Sequence, residues 1–383
     1  MSAQASIQSN ASEALALRSA WARIGEITPR RFQLLLEHYG SESQIAAHKV
    51  TQWAEDQRLN LKPEQLADLQ TQIDKLDPAK ELAQQAKRGV WALTPSDSDY
   101  PELLRQISDA PFILFGMGDR NLLAQRQLGI VGTRKATRAG GRMCQQLVQG
   151  LVKAGFVISS GLAAGIDGIA HRCALDNCGK TIAVLGNGID KVYPAEHVEL
   201  YKLIHKQGCI ISEYPMGMSG SAWSYPRRNR IISGLSLGIV VIEAGEKSGA
   251  LITARTALDQ DREVFAVPGS PLEAQSIGCN RLIQGGAKLV QNVDDILAEL
   301  GWEPAPRSST LAQSPSATGP DPRQDDTISQ AARDIWLLLT EPLSVEQLVL
   351  KTTLLTTTLL MELSSLELAG YVNRLDGGRY ARA

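Results

Sequence analysis

A short loop after an apolar stretch carries residue types that suit a phosphate. The apolar run 128–131 ends at Gly132, and Thr133 and Arg134 follow directly. An amphipathic stretch then covers residues 138–154, which predicts a strand that turns tightly into a helix. Free backbone N–H groups at the start of a helix bind anions, so we expect a phosphate at this helix start with Arg134 as its cationic partner.

A second loop of small residues has the same character. Ser160, Gly161 and Gly165 follow an apolar run and precede a helical pattern, an arrangement that also suits an anion. Asp167 is expected to cap that helix rather than to take part in chemistry. His171 lies one turn further on, where it either reaches the pocket or packs against a neighbouring element. The sequence leaves both interpretations open.

A third loop is the one that could support an enzyme. Glu243 ends an apolar run, and Ser248, Gly249 and Thr253 could hold a phosphate as in nucleotide-processing Rossmann enzymes of the phosphoribohydrolase type. The Pro-Gly-Gly-x-Gly-Thr-x-x-Glu signature of those enzymes is absent. So are a Walker lysine loop, an opening Gly-x-Gly-x-x-Gly and a Cys/His nucleophile pair. We therefore expect a binding protein with no catalytic residues, and keep the enzyme as the alternative.

Short apolar runs alternate with helical patterns through the middle of the chain. Strands that alternate with helices form a parallel sheet whose loops gather at the carboxyl ends of the strands. We predict an α/β fold, an extended Rossmann-like doubly wound parallel sheet that brings the three loops together. The apolar runs that predict its strands are 128–131, 156–159, 181–185, 209–212 and 237–242.

The composition of the 383 residues divides the chain into a disordered start, three domains and one linker. The first domain is a small helical one with a helix-hairpin-helix (SAM-like) pattern, the second holds the sheet, and the third is a winged helix of three helices and a hairpin. The boundaries are 1–12 for the disordered start, 13–88 for the helical domain, 89–301 for the sheet domain, 302–326 for the linker and 327–383 for the winged helix.

The two flanking domains are poor candidates for contact with a polyanion. The third helix of the winged domain, residues 356–369, carries Glu362 and Glu367 but no Lys or Arg, and Asp376-Gly-Gly378 is the turn of its hairpin. This pattern favours a protein contact or a structural role for the winged domain over the DNA reading of a transcription regulator. The helical domain is expected to serve in packing more than in phosphate contact.

Positive charge is concentrated in the sheet domain, although the formal net charge of the whole chain is −2. The stretch 120–166 has seven Lys or Arg and no acid, and 214–242 has three Arg and no acid. The five cysteines form no Cys-x-x-Cys pair, which argues against a structural metal and for a reducing compartment. No apolar run of membrane-spanning length occurs, so we expect a cytoplasmic protein.

Seven motifs in order resemble the bacterial DNA-processing protein A (DprA, Smf) family. The resemblance is strong over about residues 90–300 and weak in both flanks. The first motif is usually Gly-Ser-Arg in the family and is Gly-Thr-Arg here, which keeps the hydroxyl. The motifs are Gly132-Thr-Arg134, Ser160 to His171, Gly179 to Gly186, Ser212-Glu-Tyr-Pro215, Pro226 to Ile232, Glu243-Ala with Ser248 to Ala254, and Phe265 to Gly269 with Gly278 to Ile283.

The resemblance implies a protein that binds single-stranded DNA without sequence preference. It further implies a homodimer that helps to load the RecA recombinase in natural transformation, with single-strand-binding protein as a further candidate partner and no cofactor. The family's dimer surface corresponds to the region of Ile283 and Leu289. The family also places a DNA-contacting lysine in the motif that begins at Gly179, which indicates Lys180.

A group of three arginines completes the candidate DNA contacts. Arg227, Arg228 and Arg230 lie about 100° and 200° apart on a helix, so they cannot all face one ligand. We expect one or two of them, with Asn229 between them, to contact DNA and another to pair with Glu213 or Glu243. Trp223 and Tyr225, just before them, are candidates for stacking on bases.

Overall fold

The computed structural model describes residues 3–302, 328–339, 343–352, 354–375 and 379–382. The chain forms two compact units, which divide between Glu303 and Pro304. Most of the predicted linker 302–326 and the predicted turn 376–378 lie outside the described residues. Each unit has a hydrophobic core of its own.

The first unit is built on one nine-stranded sheet. Its order is β1-β2-β6-β5-β4-β3-β7-β8-β9, parallel from β6 to β9 and antiparallel at β1 and β2. This confirms the predicted doubly wound sheet. The strands are β1 Trp91–Leu93, β2 Leu114–Gly118, β3 Gln127–Val131, β4 Val157–Ser160, β5 Thr181–Leu185, β6 Cys209–Ser212, β7 Gly238–Val241, β8 Glu263–Ala266 and β9 Lys288–Leu289.

Helices connect these strands and cover both faces of the sheet. Those of the sheet region are α7 Glu102–Arg105, α8 Arg138–Lys153, α9 Ile166–Asp176, α10 Val198–Gln207, α11 Ser224–Leu235, α12 Gly249–Asp259, α13 Ile277–Gln284 and α14 Val293–Glu299. They are preceded by α1 Ala3–Trp21, α2 Pro29–Tyr39, α3 Glu42–Ala47, α4 Val50–Trp53, α5 Pro63–Asp74 and α6 Pro78–Lys87.

The apolar side chains of alternate strand residues face opposite sides of the sheet because the side-chain period of a strand is two. Ile182 and Val184 of β5 pack with α11 and α12, whereas Ala183 and Leu185 pack on the other face with α10 and the N-terminal helices. Strand order reverses between β3 and β7. The carboxyl ends of these two strands therefore flank a crevice, the usual ligand position in doubly wound sheets.

The N-terminal helices belong to the same compact unit as the sheet, which differs from the predicted separate domain 13–88. Phe32 stacks on Phe112 with ring centroids 4.5 Å apart, and Arg18 donates a hydrogen bond to the carbonyl oxygen of Phe112. The apolar faces of the N-terminal helices are buried against the sheet, so these helices have no core separate from that of the sheet. Residues 3–12 of the predicted disordered start belong to α1, which begins at Ala3 and contains no Gly or Pro.

The second unit has the predicted winged-helix elements. Its three-stranded antiparallel sheet has the order β10-β12-β11, and its helices share one apolar core. Leu360, Met361 and Leu368 lie exposed on its third helix. The elements are α15 Gln330–Leu338, β10 Leu343–Ser344, α16 Val345–Lys351, α17 Thr356–Leu368, β11 Val372–Leu375 and β12 Arg379–Arg382.

Among the helices of the described residues, none combines the length and the apolar character that a membrane span needs. No group of three or more His, Cys, Asp or Glu side chains in that part of the chain could hold a metal ion.

Candidate nucleic-acid interface

A cavity of about 640 Å³, called the cleft below, opens at the switch point between β3 and β7. The first and third predicted loops line it together with α11, and so do several residues that were not singled out in the sequence. Eight of the fifteen predicted binding residues lie in its lining: Gly132, Thr133, Arg134, Arg228, Asn229, Ser248, Gly249 and Thr253.

The loop after β3 presents Arg134 to the cleft. The backbone N–H of Thr133 donates to the carbonyl oxygen of Glu243 at 2.8 Å, and the Thr133 hydroxyl accepts from the N–H of Lys135 at 3.2 Å. These bonds fix the turn. The side chain of Arg134 is exposed and has no ion pair or hydrogen bond within the described part of the chain. It is therefore free to bind an anionic ligand.

The predicted anion site at the start of α8 is corrected because a carboxylate of the protein occupies it. Glu243 accepts from the backbone N–H of Thr137 at 2.9 Å and from the Thr137 hydroxyl, and Thr137 is the N-cap of α8. Gly140 makes this approach possible, since a Cβ there would lie 2.1 Å from the Glu243 carboxyl carbon. Glu243 thus holds the loop between β3 and α8 in place, and its negative charge offsets the positive end of the α8 dipole.

The loop after β4 supports the cleft from below instead of binding the ligand. The Ser160 hydroxyl is buried and donates to the carbonyl oxygen of Ile130 at 2.6 Å. The N–H of Gly161 donates to Asp167 at 3.1 Å, so its amide is also occupied. Gly165, at φ 79°, lets the loop lie against the backbone of Thr133, where a Cβ would be 2.3 Å from the carbonyl oxygen. Direct DNA contact by Ser160 and Gly161 is therefore wrong.

Asp167 does not cap α9 as expected, because Gly165 is the N-cap and no side chain caps this helix. Its carboxylate accepts from the backbone N–H of Gly161 and of Ala163, which holds the loop ahead of α9. Burial raises the pKa of this carboxyl, and the neighbouring Arg228 guanidinium and the two N–H donors oppose that shift. The group is engaged by backbone and is poorly placed to act as a general base.

Arg228 forms part of the cleft floor. Its guanidinium is 5% exposed and donates to the carbonyl oxygen of Gly161 at 2.7 Å and to that of Val184. Burial lowers its pKa, and nearby Asp167 favours the charged form. Arg228 therefore joins the ends of β4 and β5 and contributes positive potential to the cleft, while its neighbour Asn229 also lines the cavity.

The other two arginines of α11 face away from the cleft. Arg230 pairs with Glu213 at 2.7 Å and with Asp109 at 2.9 Å, and Arg227 approaches Glu213 at 3.5 Å. The expectation that one arginine pairs with Glu213 is confirmed. DNA contact by Arg227 and Arg230 is corrected, because the rotation between successive helical positions turns them toward this ion-pair network.

The loop after β7 supplies the second wall of the cleft. Ser248 is the N-cap of α12, and its hydroxyl accepts from the N–H of Ala250 at 3.3 Å. The N–H of Gly249, in the first turn, has no intrahelical acceptor, and Gly249 lines the cavity. Lys247 was missed in the sequence, although a cation directly before a Ser-Gly helix start is a usable signal. The start of α12 is thus the helix end that remains open to an anion.

An aromatic side chain completes the cleft. Tyr225 lines the cavity and lies beside Tyr193 with ring centroids 5.4 Å apart. Trp223 is 53% exposed but contacts Tyr214 and Arg227, outside the cleft lining. Of the two candidates for base stacking, Tyr225 is the one placed beside Arg134 and Arg228.

His171 is corrected from a candidate DNA contact to a packing residue. Its ring is completely buried, and Nδ1 lies 2.6 Å from the Thr181 hydroxyl of β5. Burial lowers its pKa to about 3, so the ring is neutral near neutral pH. His171 has neither the access nor the charge to bind a phosphate. The second interpretation left open by the sequence is the one that the structure supports.

Lys180 is likewise corrected. It precedes β5, and its ammonium donates to the carbonyl oxygen of Gln207 at 3.1 Å, just before β6. Residues before parallel strands lie at the amino edge of the sheet, whereas the cleft lies at the carboxyl edge. Lys180 is therefore exposed at the wrong end of the sheet for the cleft.

The two predicted dimer residues lie where the sheet ends. Leu289 is on β9, the last strand, and is 40% exposed. Ile283 of α13 is half-buried and packs against the core under the sheet. The predicted location at the far end of the sheet is confirmed, and Leu289 is the better exposed of the two.

A doubly wound sheet with a cleft at its switch point, in a chain that also forms a winged helix, defines a Rossmann-type protein. The family model described as DNA recombination-mediator protein A matches residues 91–301. The model described as DprA winged helix domain matches residues 316–378. The chain belongs to the DprA family of DNA-processing proteins.

Individual relatives agree with this assignment. Protein Smf of Synechocystis sp. is 34% identical over 95% of this chain and 97% of its own length. DNA processing protein DprA of Bacillus subtilis is 42% identical over 61% of this chain and 80% of its own length.

Two solved structures share the fold at substantial identity. DprA of Streptococcus pneumoniae has a TM-score of 0.57 at 38% identity and covers 66% of this chain and 92% of that one. DNA processing protein A of Helicobacter pylori, described for its single-stranded DNA binding mode, has a TM-score of 0.50 at 30% identity, covering 55% of this chain and 95% of that one.

Proposed function

We propose that the chain binds single-stranded DNA in the cleft and acts as a recombination mediator without catalysing a reaction. The observation that carries the proposal is the unpaired Arg134 beside the open start of α12, in a cleft at the switch point of the sheet. A guanidinium and free helix N–H groups bind phosphates of any sequence. The single-stranded DNA bound by the Helicobacter pylori relative supports the choice of ligand.

The carboxylates near the cleft support a binding role. Glu243 is engaged by Thr137, Asp167 by backbone N–H groups, and Glu246 by Arg281 at 2.8 Å. A hydrolase needs a carboxylate or nucleophile that is free to reach the substrate. The phosphoribohydrolase-like enzyme remains the alternative, and nucleotide hydrolysis by the purified chain would support it.

The proposed role extends to RecA, which the mediator would help to load on incoming DNA during natural transformation. Single-strand-binding protein is a further proposed partner, because it occupies the same substrate. The family description as a recombination mediator supports this extension. Faster assembly of RecA on oligonucleotides coated with single-strand-binding protein, when the chain is added, is the expected result.

Fluorescence anisotropy with labelled oligo-dT tests the binding step. Affinity should fall with salt with a log–log slope of about −0.7 for each phosphate neutralised. A nucleotide hydrolysis assay is run in parallel on the same preparation. Absence of oligo-dT binding at low salt would overturn the proposed function.

The winged-helix unit should be dispensable for this binding. A chain ending at Gly301 keeps the cleft and the whole nine-stranded sheet, and α17 offers Glu362 and Glu367 with no Lys or Arg. We expect its affinity for oligo-dT to lie within about threefold of the full chain, less than about 1 kcal/mol. A larger loss, with the melting of the sheet unit unchanged, would assign DNA contact to the winged unit.

We also propose a homodimer through the β9 end of the sheet. Leu289 is an exposed apolar residue on an edge strand, and edge strands have unpaired backbone groups that can join another chain. Two clefts in one dimer would engage the same strand and raise avidity. We expect Leu289→Arg to sediment as a monomer, with Lys288→Arg as the control that preserves charge at the neighbouring position. A wild-type chain that sediments as a monomer at tens of micromolar would contradict the dimer.

A further inference from the structure

A second cavity of about 880 Å³ lies beside the cleft, between α8 and α9, and is called the α8–α9 groove below. Arg134 lines both cavities. The proposed function uses only one side of this residue. A ligand that passes Arg134 therefore enters the groove without crossing another element.

Unpaired cations line the groove. The side chains of Lys135, Arg142 and Arg172 are exposed and, in the portion of the chain that is described, have no ion pair or hydrogen bond. With Arg134 they make four cations, against the single carboxylate of Asp176. Cations with a purely solvated role need no common groove, whereas a polyanion needs them along one path.

The α8 wall of the groove is a continuous row of hydrogen-bond donors. Arg142, Gln145 and Gln149 follow one another at three or four residues, which places them on one face of the helix. Their amide and guanidinium groups suit phosphate oxygens and base edges, and the apolar Ile169 and Leu200 lie elsewhere in the lining. The α8 residues that line the groove run from Arg142 to Gln149, a length of about 11 Å at about 1.5 Å per residue. That length matches about three nucleotides at the roughly 3.4 Å spacing of a duplex strand.

We propose that the α8–α9 groove holds the continuation of the single strand that occupies the cleft, and that Arg142 and Arg172 contact its phosphates. The inference rests on the proposed function, because the strand must reach Arg134 before it enters the groove. An acidic protein segment would meet the same cations. It would, however, bind independently of the length of DNA in the cleft.

The test compares oligo-dT of about four and about sixteen nucleotides, the span of site sizes known for single-strand binding domains. Arg142→Gln with Arg172→Gln removes two cations and leaves shorter, neutral side chains that still form hydrogen bonds. At about 0.7 per phosphate the salt slope for the long strand should fall by about 1.4. The loss of affinity relative to wild type should therefore be roughly 25-fold larger at about 0.1 M salt than at about 1 M. Binding of the short strand should stay within about twofold of wild type.

The control carries the same charge change at the surface away from the groove. Lys87→Gln with Lys206→Gln alters two exposed lysines in the last turns of α6 and α10 and should leave both lengths unaffected. A gain-of-charge variant, Gln149→Lys, should strengthen binding of the long strand only. It keeps the test decisive even where the double variant folds poorly.

The outcomes separate the groove from the proposed function. Weaker binding of the long strand alone by the double variant supports the proposed DNA contact in the groove. Unchanged binding of both lengths by the double variant, while Arg134→Ala loses both, overturns the groove and leaves the cleft intact. Equal loss on both lengths also overturns it, since the cations would then act within the cleft. Wild-type chain that binds neither length refutes the proposed function itself.

Discussion

Arg134→Ala should lower the affinity for oligo-dT at least tenfold, a loss of about 1.4 kcal/mol. Arg134 is the exposed cation that lines both the cleft and the α8–α9 groove, so its removal affects every strand that the sheet unit binds. The salt slope should become shallower by about 0.7, the contribution of one single-strand phosphate. The side chain makes no contact that the fold needs, so the melting temperature should stay unchanged.

Lys206→Ala is the matched control for this measurement. Lys206 is also exposed and lies in the last turn of α10, far from the carboxyl edge of the sheet. The substitution removes one positive charge there. Its oligo-dT affinity should equal that of wild type within error. A folded Arg134→Ala chain that binds like the control would refute the cleft as the DNA site.

Glu213→Ala should cause the largest loss of stability, about 3–5 kcal/mol. The Glu213 and Arg230 side chains are each only 6% exposed, and their charged atoms lie 2.7 Å apart. Truncating the carboxylate leaves the Arg230 guanidinium buried with only the more exposed Asp109 as its partner. Urea denaturation followed by circular dichroism gives the free energy of unfolding for both chains.

Asp109→Ala serves as the comparison because it weakens the same network from its exposed side. The Asp109 side chain is 47% exposed, and such pairs contribute about 0–1 kcal/mol. We expect the loss from Asp109→Ala to be several times smaller than that from Glu213→Ala. Equal losses would show that the buried pair is no more important than the solvated one.

The sheet and the meeting of its loops could be predicted because both follow from local signals. Runs such as 128–131 and 237–242 are apolar and bounded by glycine and polar residues, and parallel strands place their following loops at one edge. Gly132 to Arg134 and Ser248 to Thr253 therefore meet as expected. This meeting follows from one rule, that the carboxyl ends of parallel strands lie at the same edge of the sheet.

The failures concern which way a side chain faces and what it pairs with. Ser160 and His171 bond to the strands on either side of β4, and the partner of Arg230 lies 17 positions earlier. The order of the strands follows from the chain, but these side-chain partners do not. Lys180 is different, since its position before a strand already predicts the amino edge of the sheet. There the family resemblance was given more weight than the geometry.

The carboxylate of Glu243 occupies the start of α8, where the phosphate of a nucleotide could otherwise bind. A nicotinamide or flavin dinucleotide would bring its pyrophosphate to that helix end in an ordinary Rossmann enzyme. Here the Glu243 carboxylate occupies that helix end and accepts from the backbone N–H and the hydroxyl of Thr137. A soluble dinucleotide must displace an intramolecular rival whose effective concentration is millimolar or higher. We therefore expect soluble dinucleotides to compete poorly at the start of α8, and a DNA strand to use the start of α12 at Gly249.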